Sequence, residues 1–267
     1  MVCNLSGGAQ ADGFHGIMAH MEYIEGKRPV IEALRTGMPI SGVLIADNAQ
    51  RDGLIKDIIR KAKSVHVNVE FVPRARLDRQ SERGSHQGVI ASVASFPYAG
   101  INDVMAHAEA QFRRDGRALI VVCDHLTDSG NLGAVARSAE VVGAAGVVLP
   151  NKRSARVTAA TYKSSAGAIA NIPVAQVANL KAMLERCKES GFWVAGASEK
   201  ADQNIWQSNM KGKMVLVLGN EAEGLARLTQ ETCDFLVALP QVGKTASLNV
   251  AQSATAIMYE WLRQNQA

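Results

Sequence analysis

The chain has 267 residues, a net charge of +4, 47% hydrophobic and 20% charged residues, the balance of a globular protein long enough for one large domain or two modest ones. No apolar run approaches the ~20 residues needed to cross a bilayer, so a membrane-spanning helix is excluded from the reading. The mild basic excess is shared by many enzymes and does not by itself assign a polyanionic partner.

Residues 1–20, ending in GFHGIMAH, lack a basic n-region and an apolar h-region and do not read as a secretory signal. Their Gly- and Ala-rich composition predicts a disordered leader, natural or appended, with Met21 as an alternative start. A first unit is expected over 21–98, a linker over 99–116 and a second unit over 117–267. In the first, Lys27–Arg35 reads as a helix and 42–46 as a strand. Leu54, Ile55, Ile58, Ile59 and Ala62 recur at helical spacing with Lys56, Arg60, Lys61 and Lys63 elsewhere, which makes 54–64 an amphipathic helix. Alternation predicts strands over 67–72 and 88–94.

Between those strands lies RARLDRQSERGSHQG, where Arg74, Arg76, Arg79 and Arg83 accompany Asp78 and Glu82. One reading is a solvated helix laced with ion pairs. The other is a contact to nucleic-acid phosphate or sugar through the polar loop Gly84-Ser85-His86-Gln87-Gly88. The unit as a whole reads as a small α/β sandwich.

Residues 99–116 read as a short helical linker closing on the Asp115-Gly116 turn. Beyond it, apolar strands at 118–123, 146–149, 192–195, 214–218 and 235–239 alternate with helices. That pattern implies an α/β fold with a parallel sheet covered on both faces. Cys3, Cys123, Cys187 and Cys233 are far apart and form no CxxC, so they read as reduced structural thiols of a cytosolic protein. The six histidines are scattered, and no metal-ligand set is expected.

Three segments of the second unit break the apolar pattern: DSGNLGAVARSAE from Asp128, LVLGNEAEGL, and LPQVGKTASLNVAQ. Each follows a strand and concentrates Gly, Asn, Ser and Glu, at the kind of strand end where α/β proteins place ligands. Together they predict one composite site. Gly243-Lys244-Thr245 is not a phosphate loop, because the first glycine of GxxxxGK[ST] is replaced by Ala238 inside the strand and Pro240 follows. No GxGxxG occurs, so a dinucleotide fold lacks its fingerprint. Asn131 opens a helix whose apolar face is Leu132, Val135, Ala136, Ala139 and Val142; it reads equally as an N-cap, and Arg137 as a solvated side chain. Ser247 is expected to begin a last helix running to Trp261, and Leu239 and Leu248 taken singly read as core.

Taken together, the three segments closely resemble the motifs of the SpoU (TrmH) family of RNA ribose 2′-O-methyltransferases, within the SPOUT superfamily. The resemblance covers nearly everything from Met21 onward. Glu22-Tyr23-Ile24-Glu25-Gly26 with Pro29-Val30 is similar to the family's amino-terminal substrate-binding domain, of ribosomal-protein-like α/β type, and His86-Gln87-Gly88-Val89 to its end. The likeness is to the bacterial branch that methylates a guanosine of 23S ribosomal RNA. It implies a carboxyl-terminal trefoil knot whose loops hold S-adenosylmethionine on backbone atoms near Gly219, Leu239 and Leu248, without a metal. It also implies a cytoplasmic homodimer that binds structured RNA, not DNA or membrane.

The same resemblance makes Asn131 and Arg137 the paired catalytic residues, with Arg137 acting at the ribose 2′-hydroxyl and Glu221, Ser247 and Asn249 completing the site. RNA is then expected at Arg74, Arg76, Arg79, Arg83 and His86. Ala222 stands where many relatives carry Gly. A guanidinium, with a pKa above about 12, is a poor base. Beside proton acceptance by the arginine stands a milder role, in which Arg137 binds the adjacent phosphate and stabilises the developing alkoxide. Two other readings stay open: the same reaction on a tRNA loop, and a non-catalytic ribosome-assembly factor on this scaffold.

Overall fold

In the computed structural model, which describes residues 21–81, 84–245 and 247–266, the chain builds two sheets. The expectations for residues 1–20, Cys3 and Arg83 lie outside the described residues. The first sheet begins with β1 (Met21–Glu25), a strand not expected from the pattern. There follow α1 (Lys27–Arg35), β2 (Ile40–Ala46), α2 (Gly53–Ser64), β3 (Val69–Val72), α3 (Arg74–Gln80) and β4 (Val89–Ala94). The strand order is β1-β4-β2-β3, with only β2 and β3 parallel. Period-two alternation on β4 sends Val89 and Ala91 against Val30, Ile31 and Leu34 of α1 and Ile55 and Ile58 of α2, and turns Ile90 to the other face against Leu77 of α3. Strand β3 starts later than expected because Val67 N–H donates to the Ala62 carbonyl, spending that residue on the end of α2.

The segment expected as a helical linker is α4 (Ile101–Asp115), which connects the two units and also buries Val104, Met105 and Ala108 beneath the second sheet. That sheet contains β5 (Ala118–Cys123), β6 (Gly146–Pro150), β7 (Val174–Val177), β8 (Trp193–Ala197), β9 (Lys213–Leu218) and β10 (Phe235–Val237). Between them run α5 (Ser129–Val141), α6 (Ala159–Ser164), α7 (Leu180–Glu189) and α8 (Arg227–Thr232), and α9 (Val250–Asn265) follows β10. The order is β10-β8-β9-β5-β6-β7 and every pairing is parallel.

Strand β5 is buried on both faces, which explains its unbroken apolar sequence. Leu119, Val121 and Cys123 join the core under α5, α6 and α9, while Ala118, Ile120 and Val122 join the core under α4 and α7. Helices α5 and α6 cross closely at Gly133, where any Cβ would overlap the Ser164 hydroxyl and the Thr161 carbonyl. The two units are joined by a Lys163–Glu32 ion pair at 2.6 Å, by Val157 N–H donating to Tyr98 Oη at 3.1 Å, and by an edge-on contact of Phe96 with Tyr162.

Candidate active site

A parallel sheet brings the carboxyl ends of its strands to one edge, and here the loops after β5, β9 and β10 meet there. Asp124, directly after β5, is wholly buried, so its carboxylate must be satisfied by protein donors. Its Oδ2 accepts from Ala226 N at 2.8 Å and its Oδ1 from His125 Nδ1 at 2.6 Å, which ties the loop after β9 to β5. Asn220 reinforces the tie: its Nδ2 donates to the His125 carbonyl at 2.9 Å, and its Oδ1 accepts from Ala222 N at 2.9 Å. Asn220 and Gly224 exchange both backbone hydrogen bonds, closing a hairpin around Glu221. Sequence reasoning missed Asp124, His125 and Asn220. The available signal was a carboxylate placed immediately after six apolar residues.

Helix α5 starts at an Asp128 cap, whose Oδ1 accepts from Asn131 N at 2.6 Å. Asp128, not Asn131, is therefore the N-cap, and the Asn131 side chain is free for other partners. Its Nδ2 donates to Glu221 Oε1 at 2.8 Å, and its Oδ1 accepts from Asn249 Nδ2 at 2.9 Å. Asn249 Oδ1 in turn accepts from Ala251 N at 2.9 Å, so α9 begins at Val250 with an Asn249 cap and Ser247 lies before the helix. One asparagine thus links a residue from each of the other two motif segments.

Beside this bridge a cavity of about 420 Å³ opens between the loops after β9 and β10 and the start of α9. Gly219, Glu221, Leu239, Ser247, Leu248 and Asn249 all line it. Gly219 is required by its own loop: an added Cβ would overlap the Gly224 backbone, so the missing side chain lets the hairpin close on itself. Leu239 lies beyond β10, which ends at Val237 rather than continuing to 239. Leu248 is half exposed at the rim, unlike a core leucine.

Arg137 does not line this cavity. It is exposed on α5, and among the described residues its side chain makes no hydrogen bond or ion pair. In the first unit α3 ends at Gln80, and Arg74, Arg76 and Arg79 are exposed on it. Arg76 pairs with Glu70 at 2.7 Å and Arg74 reaches Asp78 at 4.0 Å. His86 is 2% exposed, so its ring is not presented to a ligand as expected. Its Nε2 donates to Asp78 Oδ1 at 2.9 Å and its Nδ1 accepts from Gly88 N at 3.0 Å, which fixes the loop from inside.

The thiols of Cys123, Cys187 and Cys233 are unbridged, and each is pushed up to about 12 by burial. The Glu221 carboxylate adds to the effect at Cys123.

Residues 118–259 match the SpoU rRNA Methylase family, and residues 23–99 match the RNA 2′-O ribose methyltransferase substrate binding domain. A protein of Bacillus subtilis (strain 168), named as a TrmH family tRNA/rRNA methyltransferase, is 40% identical over 91% of this chain and 95% of its own. An uncharacterized tRNA/rRNA methyltransferase of Mycolicibacterium vanbaalenii is 36% identical over 97% of this chain and 81% of its own. The SpoU methyltransferase AviRb from Streptomyces viridochromogenes, solved in complex with the cofactor AdoMet, has a TM-score of 0.62 and 26% identity, covering 92% of this chain and 91% of that one. The chain belongs to the SpoU rRNA methylase family.

Proposed function

We propose that this protein is an S-adenosylmethionine-dependent RNA ribose 2′-O-methyltransferase acting on a guanosine of 23S ribosomal RNA. The observation that carries the reading is the Glu221–Asn131–Asn249 bridge beside a cavity sized for the donor. About 420 Å³ falls within the range of small-molecule sites. Leu239, Leu248 and Ile257 offer apolar walls for an adenine, and the loop backbone around Gly219 offers polar groups. When bound, S-adenosylmethionine supplies an activated methyl group on a cationic sulfur.

The chain's own residues must hold a ribose hydroxyl in line and help it lose a proton. After its bonds to Glu221 and Asn249, Asn131 retains one N–H and one carbonyl lone pair, enough to orient that hydroxyl. Glu221 and Asn249 fix the Asn131 amide in advance, while Ser247 stands at the cavity wall for a second ribose contact. Arg137 binds the phosphate beside the target and stabilises the developing alkoxide, with the proton leaving to water or phosphate.

Arg137 shares a face of α5 with the exposed Val141 four residues on, and exposed Tyr259 lies on neighbouring α9. A second copy covering this surface would carry Arg137 to the opposite pocket, which makes the homodimer part of the reading. So is the trefoil knot, which would tie together the two cavity-lining loops, 219–226 and 239–249. The amino-terminal unit grips structured RNA through the exposed arginines of α3, which favours ribosomal RNA and the cytoplasm.

The test is to incubate purified protein with S-adenosylmethionine and either large-subunit rRNA or tRNA transcripts, then map ribose methylation. The expected product is 2′-O-methylguanosine at one 23S position. Methylation of tRNA alone would move the substrate to the tRNA loop, and donor binding without methylation of either would leave an assembly factor. A fully active monomer at micromolar concentration, measured by sedimentation, would remove the dimer from the reading.

A further inference from the structure

The loop 151–158 (NKRSARVT) between β6 and α6 concentrates positive charge that no motif assigns. Lys152, Arg153 and Arg156 are exposed, and among the described residues none of their side chains has a hydrogen-bond or ion-pair partner. Neighbouring Lys163, by contrast, is engaged, paired with Glu32. Three unneutralised cations in five residues leave a local field that solvent alone balances.

The loop is also held rigidly. Ala155 N donates to the Leu126 carbonyl at 2.7 Å, and the Ser154 hydroxyl to the same oxygen at 3.2 Å. The Ser129 hydroxyl donates to the Arg156 carbonyl at 3.3 Å, and Val157 N to Tyr98 Oη at 3.1 Å. Ala155 and Val157 are buried between the cations as anchors. Arg153 has a φ of 52°, a left-handed conformation that a non-glycine residue keeps only where its surroundings impose it. Rigid anchoring and unpaired charge together describe a surface built in advance for an anion.

Its place on the sheet says which anion. Along the carboxyl edge, in spatial order, come the cavity at β10, β8 and β9, the Asn131 bridge between β9 and β5, and then this loop at β6. Adjacent strands lie about 4.8 Å apart, so the cations stand within side-chain reach of a strand that presents a ribose to Asn131. On its far side the loop touches Tyr98, at the junction with the amino-terminal unit.

We propose that Lys152, Arg153 and Arg156 form a phosphate track that binds the sugar-phosphate backbone flanking the target ribose, between the amino-terminal unit and the Asn131 bridge. Three cations without an exposed aromatic ring select phosphate charge rather than base identity. The track rests on the RNA methyltransferase reading above.

Neutralising the track tests it. The triple variant Lys152→Gln, Arg153→Gln, Arg156→Gln is compared with wild type and with a charge-matched triple, Arg113→Gln, Lys181→Gln, Arg186→Gln, on α4 and α7 across the sheet. Each is titrated with a large-subunit rRNA transcript between 50 and 200 mM salt, alongside S-adenosylmethionine calorimetry. The track variant is expected to keep its donor affinity while its log K against log [salt] slope becomes shallower by about 2–3, as for three lost phosphate contacts. A double variant, Lys152→Gln with Arg156→Gln, leaves the left-handed residue in place and should give about two-thirds of that change. An unchanged slope in the track variants, or an equal change in the matched triple, overturns the track. A wild type that binds the transcript but methylates no ribose overturns the enzymatic reading alone, and one that binds no RNA overturns both.

Discussion

Asn249 Nδ2 donates to Asn131 Oδ1 across 2.9 Å, joining residues 118 positions apart. The other end of the same amide donates to Glu221 Oε1 at 2.8 Å, 90 positions away. Asn131 thus registers the segments after β5, β9 and β10 against each other.

Replacing Asn131 should therefore remove alignment and leave the fold. Asn131→Ala is expected to lower kcat about 10²-fold, the scale of an ångström of misplacement, with Tm within a few degrees of wild type. Asn131→Asp should be worse, because its carboxylate meets that of Glu221. Single-turnover methylation and thermal unfolding check both, and an alanine variant with wild-type turnover would show the bridge is dispensable.

Gly219→Ala places a methyl group in the Gly224 backbone. The hairpin around Glu221 must open, with an expected loss of about 1–3 kcal/mol in stability. Because that hairpin lines the cavity, donor affinity by calorimetry should fall at least about tenfold, one factor of ten being about 1.4 kcal/mol. Undiminished binding would place the donor elsewhere.

Arg137→Lys separates charge from proton acceptance. If the guanidinium acts on phosphate and alkoxide, lysine retains part of the rate and the pH profile keeps its shape, since the planar fork is lost but the charge is not. If the arginine accepts the proton, the profile should acquire a lysine-like ionisation near about 10.4. Rate against pH with RNA bound distinguishes the two.

Two buried thiols and one half-buried thiol predict alkaline instability. Burial pushes the Cys123, Cys187 and Cys233 thiols up to about 12 in the folded protein, well above an ordinary thiol. The unfolded chain then releases these protons first, so their contribution is complete below pH 9 and is lost as pH rises toward 12. Each thiol can contribute a slope of about 1.4 kcal/mol per pH unit in that window. Denaturant unfolding from pH 8 to 11 should show the decline, and Cys123→Ala should flatten it. Slow alkylation of all three thiols at pH 8 is the companion observation.

The parallel sheet was legible because both-face burial leaves a plain mark, as in the run from Ala118 to Cys123. The composite site was legible because polar residues crowd three strand ends. Strand β7 was not, since four residues with Gln176 among them carry too little periodicity. Asp128 and Asn131 are both capping residue types three positions apart, and local spacing cannot choose between them. His86 sits in a run of small polar residues that reads as open loop, while the Asp78 carboxylate that receives its ring is set by tertiary structure. The position of Arg137 relative to Asn131 follows from helical geometry, but what covers that face does not.

The 118-position separation of Asn131 and Asn249 also imposes an order on biosynthesis. At translation speeds of about 5–20 residues per second, roughly 6–24 s separate the appearance of the two asparagines. Strands β5, β6 and β7 can pair during that interval, for each follows its neighbour in the chain. The nascent polypeptide can therefore pair β5, β6 and β7 before the Asn131–Asn249 hydrogen bond has both its partners.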